Sequence, residues 1–227
     1  MNILWEDNAP LDDGEDLVLP IGVTKEQNGD PCVTAYEAFR EEALWLASLP
    51  ADRLFTAETA EALLHKLSAK LEARGYQAEL AETTVYRLSS REAVNRSCIR
   101  DDSEPLMPDH PYRNLTDCEP DPLDEGLLCF GTVIDGVILS AAAENPHDPD
   151  DTVIDIGVET APDFEGRGFA ASNVAALAYY LLDPGVAVTY IVEDDNPASK
   201  RVAEKVGFRP HAKELRILGW CREGTKD

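Results

Sequence analysis

The sequence predicts an α/β (α+β) protein, in which strands and helices alternate along the second half of the chain. Two observations support this prediction. Residues 153–160 and 186–192 are rich in apolar and β-branched residues, as is typical of buried strands. Each run is followed by small and apolar residues at the three-and-four spacing of a helix, from Ala171 to Leu181 and from Pro197 to Val206.

The first strand-to-helix junction reads Glu165-Gly166-Arg167-Gly168-Phe169-Ala170. A glycine turn that enters a helix exposes unpaired backbone N–H groups at the positive end of the helix dipole, which is a suitable site for a phosphate group. Glycine also lets the backbone approach a ligand closely. The spacing is neither that of a dinucleotide-binding motif nor that of a P-loop. Taken alone, the turn is therefore compatible with a phosphate site and with a ligand-free turn.

The second helix has clear boundaries, with Asn196 as N-cap, Pro197 at the first helical position and Gly207 as terminator. The combined order is strand, P-x-x-x-G-R-G-F-A, helix, strand, N-P-x-S-x-x-x-A-E-K-x-G-F. These two motifs, in this order and at this separation, resemble the GNAT superfamily of N-acetyltransferases. The resemblance covers roughly a quarter of the chain.

The resemblance implies a central mixed, mostly antiparallel sheet flanked by helices, which opens beside the first motif strand to admit acetyl-coenzyme A. Backbone groups of Val158 and Thr160 would pair with the pantetheine arm, the glycine turn would hold the pyrophosphate, and Asn196 and Ser199 would contact the thiol end. The coenzyme-binding residues implied in this way are Val158, Thr160, Glu165, Gly166, Arg167, Gly168, Phe169, Ala170, Asn196 and Ser199.

The activity implied is transfer of an acetyl group from acetyl-coenzyme A to a primary amine, by direct attack in a ternary complex. Two positions depart from the family pattern. Glu165 stands where the family usually has glutamine or arginine, and Ala203 stands where many members have a tyrosine that protonates the departing thiolate. These departures leave open a non-catalytic acyl-coenzyme A binding or regulatory protein with the same fold. A structural or interaction module is a third alternative.

A general base is needed because an amine is mostly protonated at neutral pH. Strand alternation puts Asp155 and Glu159 on one face of the motif strand, and Ile154, Ile156 and Val158 on the other. Asp155 lies closest to the position where the family carries an acidic residue, so we predict Asp155 as the catalytic base. The alternative is a carboxylate that ends in water or in a salt bridge.

The composition of the chain bears on membrane association, disulfides and metal binding. The chain has 227 residues and is 44% hydrophobic, which is enough for a core, and no apolar run approaches the ~20 residues of a membrane helix. We therefore expect a cytoplasmic protein that does not bind membranes. The cysteines are scattered and lack metal-ligand spacing, so we expect reduced thiols and no metal. They are Cys32, Cys98, Cys118, Cys129 and Cys221.

The formal net charge is −24, which argues against nucleic acid as a partner because little positive charge is available to neutralise phosphates. The acidity would attract a cationic amine, or it would serve solubility alone. We expect a small-molecule or peptide amine as the acceptor. The basic residues near the motifs are Arg167, Lys200 and Arg201.

Residues 1–78 are predicted to form an N-terminal extension, and residues 79–227 the acyltransferase domain. Within the extension, residues 17–23 are predicted as a short edge strand and two amphipathic helices follow. The first helix groups Tyr36, Phe39, Ala43 and Leu44 and ends near Pro50; the second groups Ala60, Leu63, Leu64, Leu67 and Leu71 and ends at Gly75.

The predicted acyltransferase domain opens with a strand over residues 77–89, and residues 90–99 are predicted to be helical. Residues 100–126 are dense in Asp, Glu and Pro and predict a loop, either a lid over the amine site or an uninvolved insertion. Asp135-Gly136 predicts a hairpin over residues 127–143. The last strand spans residues 212–220, and its edge would be completed by the N-terminal segment or by a second subunit in a homodimer.

Overall fold

The computed structural model describes residues 1–12, 15–107, 113–114, 126–147 and 151–221. Its residue contacts divide the chain into two compact units. The first unit combines Met1–Thr84 with His211–Asp227, and the second contains Val85–Pro210. The domain boundary near residue 78 stays a prediction.

The first unit contains a sheet with the strand order β1-β3-β2-β11. Strand β1 is parallel to β3, whereas β2 is antiparallel to both β3 and β11. Its elements are β1 (Asn2–Glu6), the short helix α1 (Ala9–Asp12), β2 (Leu17–Glu26), β3 (Cys32–Tyr36), α2 (Arg40–Ser48), α3 (Ala57–Glu72), the start of β4 (Tyr76–Leu88) and most of β11 (Arg209–Cys221).

The two predicted helices are confirmed as α2 and α3, and their apolar faces belong to the same core as β2, β3 and β11. The side chain of Thr56 caps α3 by accepting a 3.3 Å hydrogen bond from Thr59 N. The predicted first helix is wrong in two respects. Tyr36 belongs to β3 and Phe39 to a 3₁₀ turn before α2, and one position of the buried face differs. Leu44 is 52% exposed, and Leu46 is buried instead.

The sequence prediction of an edge strand at residues 17–23 is wrong. Strand β2 is longer and pairs on both sides, with β3 and with β11. Strands β1 and β3 were not predicted, because each is only five residues long. Of the two alternatives for completing the edge of the last strand, the N-terminal segment is confirmed, since Leu17 to Glu26 pair with Trp220 to Ala212.

The second unit contains a sheet with the order β10-β9-β8-β7-β5, and β6 also pairs with β8. The β9–β10 and β6–β8 pairs are parallel, and the β8–β9, β7–β8 and β5–β7 pairs are antiparallel. This confirms the predicted mixed, mostly antiparallel sheet flanked by helices. Its elements are β5 (Ser103–Pro105), β6 (Arg113–Asn114), β7 (Cys129–Ile134), β8 (Val137–Glu144), β9 (Val153–Thr160), α4 (Phe169–Leu181), β10 (Ala187–Glu193) and α5 (Pro197–Val206).

The β7–β8 hairpin is confirmed, and it turns at Asp135 and Gly136 with φ of 52° and 73°. Helix α4 is buried on most sides because its small residues let it pack closely. Val174 and Leu177 of α4 share one core with Ile156 of β9 and Val188 of β10. This packing holds β9, α4 and β10 around the site described below.

Two predictions for residues 90–126 need correction. Residues 90–99 form two short 3₁₀ turns, Arg91–Ala93 and Arg96–Cys98, in place of an α-helix. Part of the predicted loop is a strand, since β5 pairs with β7. Residues 108–112 and 115–125 of that loop, including Cys118, lie outside the described residues.

In the described part of the chain, no helix is long and apolar enough to cross a membrane.

Candidate active site

A gap opens in the second unit where β9 and β10 separate. The two strands are paired over three positions only, and the last pair is Asp155 with Thr189. Strand β9 nevertheless remains paired with β8 as far as Thr160, which lies opposite Ser140. The part of β9 beyond Asp155 therefore has a partner on one side and a gap on the other, as the family resemblance implied.

The backbone of β9 alternates between these two sides. Asp155 O accepts from Asn145 N at 2.9 Å, and Ala161 N donates to Leu139 O at 2.9 Å, both toward the β8 side. On the opposite side, Thr152 O accepts from Ala187 N at 2.8 Å. Because backbone direction repeats every two residues in a strand, the N–H and C=O groups of even-numbered residues face the β10 side. Val158 and Thr160 therefore direct their backbone groups into the gap.

The gap is continuous with a cavity of about 940 Å³. Strand β9 forms one wall, the turn and start of α4 form the floor, and one face of α5 forms the other wall. The cavity is lined by Val158, Glu159, Thr160, Pro162, Phe164, Glu165, Gly166, Gly168, Phe169, Ala170, Ala171, Tyr190, Asn196, Ala198, Ser199, Arg201, Val202 and Lys205.

The turn before α4 presents backbone N–H groups to this cavity. Gly166 and Gly168 have φ of 71° and 86°, a region that only glycine enters without strain. Gly168 is the N-cap and has no side chain that could satisfy the first N–H groups. The first backbone bond that returns to this cap runs from Ser172 N to Gly168 O at 3.1 Å. The preceding N–H groups have no acceptor within the helix, and groups of this kind at a helix start favour an anion.

Helix α5 adds positive charge to the cavity. Ala198, Arg201, Val202 and Lys205 recur at the spacing of one helix face, and all four line the cavity. Lys205 Nζ lies close to the turn, 3.9 Å from where a Cβ on Gly168 would be. Lys205 was not among the predicted site residues, although its spacing from Arg201 could have indicated it.

Nine of the ten coenzyme-binding residues predicted from the resemblance line the cavity, and Arg167 is the exception. Arg167 Nη2 donates to Asp163 O at 2.9 Å, and its guanidinium lies 4.7 Å from the centre of the Phe164 ring. The Glu165 residue is exposed. Asn196 Oδ1 accepts a 3.0 Å hydrogen bond from Ser199 N, so this side chain caps α5 at the cavity wall.

Asp155 lies at the closed end of the gap and is not among the cavity-lining residues. Its Oδ1 accepts from Thr189 Oγ1 at 2.9 Å, and its Oδ2 accepts from Asn145 Nδ2 at 2.6 Å. Two donors thus hold the carboxylate in a fixed orientation. Its assignment as the catalytic base stays a prediction.

Tyr190 of β10 is a cavity residue that the sequence did not single out. It is 4% exposed, and its ring belongs to the core that also contains Phe208. Burial raises the pKa of Tyr190, the negative charge of Asp155 adds to this effect, and the Ser199 hydrogen bond opposes it. The sequence feature that could have indicated it is the one phenol in strand β10.

A buried polar network supports the end of β9. Thr160 Oγ1 donates to Ser140 Oγ at 2.8 Å, and Ser140 Oγ donates to Glu159 O at 3.0 Å. Asn173 of α4 donates from Nδ2 to Ser140 O at 3.1 Å. Its Oδ1 accepts from Ser103 Oγ at 2.7 Å and from Thr132 Oγ1 at 3.3 Å. The network therefore fixes β9 relative to α4.

Within the described ranges, no three His, Cys, Asp or Glu side chains are grouped as a metal site.

Comparison with known proteins finds a family model that matches part of this chain, including the site. Residues 134–217 match the family model described as FR47-like protein. No match is found among curated proteins. Three of the similar solved structures are described below, and each differs strongly from this chain in sequence.

One is assigned to the GNAT acetyltransferases, from Novosphingobium aromaticivorans, with 21% identity, a TM-score of 0.48 and coverage of 65% of this chain and 69% of that one. A GCN5-related N-acetyltransferase-like protein from Streptococcus suis has 14% identity and a TM-score of 0.49, covering 79% and 75%. The Salmonella typhimurium protein yncA, solved with its cofactor acetyl-CoA, has 17% identity and a TM-score of 0.33, covering 46% and 70%.

All three TM-scores are below 0.5, so these structures carry no argument about the role of this chain. The family model covers both sequence motifs, from Pro162 to Ala170 and from Asn196 to Phe208. Over residues 134–217, this chain is therefore similar to the FR47-like proteins, and the match includes both motifs that resemble the GNAT superfamily.

Proposed function

We propose that this protein is an N-acetyltransferase that moves an acetyl group from acetyl-coenzyme A to a primary amine. The observation that carries the proposal is the gap between β9 and β10, which is continuous with a cavity of about 940 Å³ and ends at the start of α4. A gap lined by unpaired strand backbone at one end and by a helix N-terminus at the other suits a long ligand with an amide-rich arm and a phosphate group.

The chain's own residues divide the binding task. The N–H groups from Gly166 to Ala171 would hold the pyrophosphate, and Lys205 and Arg201 would offset its charge. Backbone groups of Val158 and Thr160 would pair with the amides of the pantetheine arm. Because these donors belong to a strand already paired with β8, little ordering is needed when the ligand binds.

The chemistry requires an oxyanion donor and a base. Backbone N–H groups near Thr160 would stabilise negative charge on the thioester oxygen, and the Thr160–Ser140 hydrogen bond keeps this part of β9 in place. We propose Asp155 as the base that takes the proton of the amine. The net charge of −24 favours a cationic acceptor, since like-charged molecules are repelled at long range.

A second candidate function is binding of acyl-coenzyme A without turnover. Two observations favour it: Ala203 is fully buried and cannot donate a proton, and Glu165 places a carboxylate beside the proposed pyrophosphate site. Such a protein would bind acyl-coenzyme A in the cavity and would not transfer the acyl group to an amine.

Two measurements on the full chain separate these functions. Thermal unfolding with coenzyme A reports binding, and release of free thiol from acetyl-coenzyme A in the presence of an amine panel reports transfer. An acetyltransferase gives both signals, whereas a pure binder gives the thermal shift alone. The panel contains a polyamine, an aminoglycoside, an amino acid, a peptide with a free N-terminus and a lysine peptide blocked at its N-terminus.

The proposal is wrong if coenzyme A gives neither a thermal shift nor a measurable binding heat. Adenosine diphosphate serves as the matched ligand control, since it carries the pyrophosphate and lacks the pantetheine arm. We expect it to bind more weakly than coenzyme A, because the contacts to Val158 and Thr160 are lost.

A further inference from the structure

A buried tyrosine faces the cavity at the point where the gap begins. Tyr190 follows Thr189, the last residue of β10 that is paired with β9, and it lines the cavity. Its ring centre lies 6.0 Å from that of Phe208, and Ser199 of α5 lines the same cavity. The ring is thus held by the core at the edge of the cavity.

Acetyl transfer from a thioester leaves a thiolate, which is a better leaving group when a nearby acid donates a proton. Helix α5 has no phenol at position 203, because that residue is a fully buried alanine. Among the described residues that line the cavity, Tyr190 is the one phenol. Tyr190 belongs to strand β10. A proton donor at Tyr190 would therefore come from the sheet, whereas a donor at position 203 would come from helix α5.

We propose that Tyr190 donates the proton to the sulfur that departs in the acetyl transfer; this inference rests on the proposed function. The amine nitrogen forms a bond to the carbonyl carbon, and the carbon–sulfur bond breaks with its electron pair on sulfur. The phenol proton passes to that sulfur. The tyrosinate regains a proton from solvent, into which the base releases the proton taken from the amine, so the products are one amide and one thiol.

The sheet separates this acid from the proposed base. Thr189 is paired with Asp155 and shares its face, so the next residue along β10, Tyr190, lies on the opposite face. The amine would approach from the Asp155 face, and the sulfur would leave on the face covered by α5. Proton removal and proton donation therefore occur on opposite sides of the gap and do not neutralise each other directly.

Burial and the surrounding charges together set the pKa of Tyr190, and this pKa sets the pH range in which the phenol can donate a proton. Burial is the largest influence and raises the pKa of Tyr190, and the charge of Asp155 on β9 raises it further. The Ser199 hydrogen bond from α5 lowers this pKa. Glu159 on β9, Glu165 in the turn, and Arg201 and Lys205 on α5 line the same cavity. The hydroxyl is protonated below its raised pKa, so donation is available at neutral pH and is lost as the pH rises through that value.

The test compares Tyr190→Phe with Tyr86→Phe in the full chain. Tyr86 is a matched control because it is equally buried in the same core and its pKa is also raised by burial, yet it does not line the cavity. We expect Tyr190→Phe to lower kcat about 100-fold with KM for acetyl-coenzyme A changed less than about twofold. Tyr86→Phe should keep the wild-type kcat, and thermal unfolding checks that both variants are folded.

A second readout does not depend on turnover. Tyrosine ionisation is followed by ultraviolet absorbance with and without coenzyme A. We expect coenzyme A to shift the ionisation of one tyrosine in the wild type and in Tyr86→Phe, and to cause no such shift in Tyr190→Phe. Wild-type kcat in Tyr190→Phe, or an unchanged coenzyme A shift in that variant, would overturn the inference and leave the acetyltransferase proposal standing. If the wild type binds no coenzyme A, the proposed function fails and this inference fails with it.

Discussion

Thr189 Oγ1 donates a 2.9 Å hydrogen bond to Asp155 Oδ1, and these two residues form the last pair in register between β9 and β10. The bond therefore lies at the inner end of the gap. Asn145 Nδ2 donates to the second oxygen of the same carboxylate. Asp155 thus holds the closed end of the gap, and it is also the proposed base.

Replacement of Asp155 tests the base assignment. We expect Asp155→Asn to lower kcat about 100-fold near neutral pH, because the amide cannot accept the amine proton. The control is Thr189→Val, which keeps the carboxylate and removes one of its donors. It should lower stability by about 1 kcal/mol and leave most of the activity. Acetyl transfer by Asp155→Asn that equals the wild type across the pH range would remove the assignment.

A pair of glycine variants tests the phosphate site. Gly166 and Gly185 both have positive φ, of 71° and 93°, and a Cβ on either would meet no atom within 4 Å. Alanine should therefore cost about 1 kcal/mol of stability at each position. Only Gly166 lines the cavity, so only Gly166→Ala should weaken coenzyme A binding, by about tenfold as measured by calorimetry. Equal affinities in the two variants would contradict a phosphate site at this turn.

Two lysines on α5 test the contribution of charge. Lys205 lines the cavity near Gly168, whereas Lys200 pairs with Asp194 at 3.3 Å and does not line it. We expect Lys205→Met to weaken coenzyme A binding about tenfold at low salt, and the loss should shrink as salt is added. Lys200→Met removes the same charge from the same helix and should change affinity less. If both variants bind equally, only the overall charge matters.

Asn173 tests the buried network behind β9. Its amide bonds to Ser140, Ser103 and Thr132, and the side chain has no exposed surface. Asn173→Ala should lower the free energy of unfolding by about 2–3 kcal/mol, because buried partners lose their hydrogen bonds. Denaturant unfolding measures this change. The exposed Asn95 provides the control, and Asn95→Ala should cost less than Asn173→Ala. An equal cost at both positions would show that the network does not stabilise the fold.

Much of the second unit could be predicted from the sequence because its signals are local. The bounds of β9 agree with the predicted strand, and α5 lies between the predicted N-cap Asn196 and the terminator Gly207. Capping residues and helix periodicity depend on neighbours a few positions away, so a single sequence contains them. A strand at residues 17–23 was also predicted, but its place inside the sheet could not be, since its partner β11 is far along the chain.

The site was predictable in part for the same reason. The glycine turn and Asn196 belong to contiguous motifs, and the structure brings them to one cavity. Tyr190 was missed because its importance depends on where β9 and β10 separate, and strand separation leaves no mark in either strand's sequence. Arg167 was predicted as a coenzyme-binding residue, yet its side chain lies against Phe164 and Asp163, a choice among rotamers that spacing does not specify.

The pairing of β2 with β11 has a consequence for biosynthesis. Thr24 and Glu214, which are hydrogen-bonded in the first unit, are separated by 190 positions, whereas residues 85–210 are contiguous. A ribosome that has just released β10 and α5 has already supplied nearly every strand of the second unit. The first unit cannot be completed before β11 is synthesised. Until then, the edge of β2 that pairs with β11 is exposed in the nascent chain, and we expect chaperones to protect it.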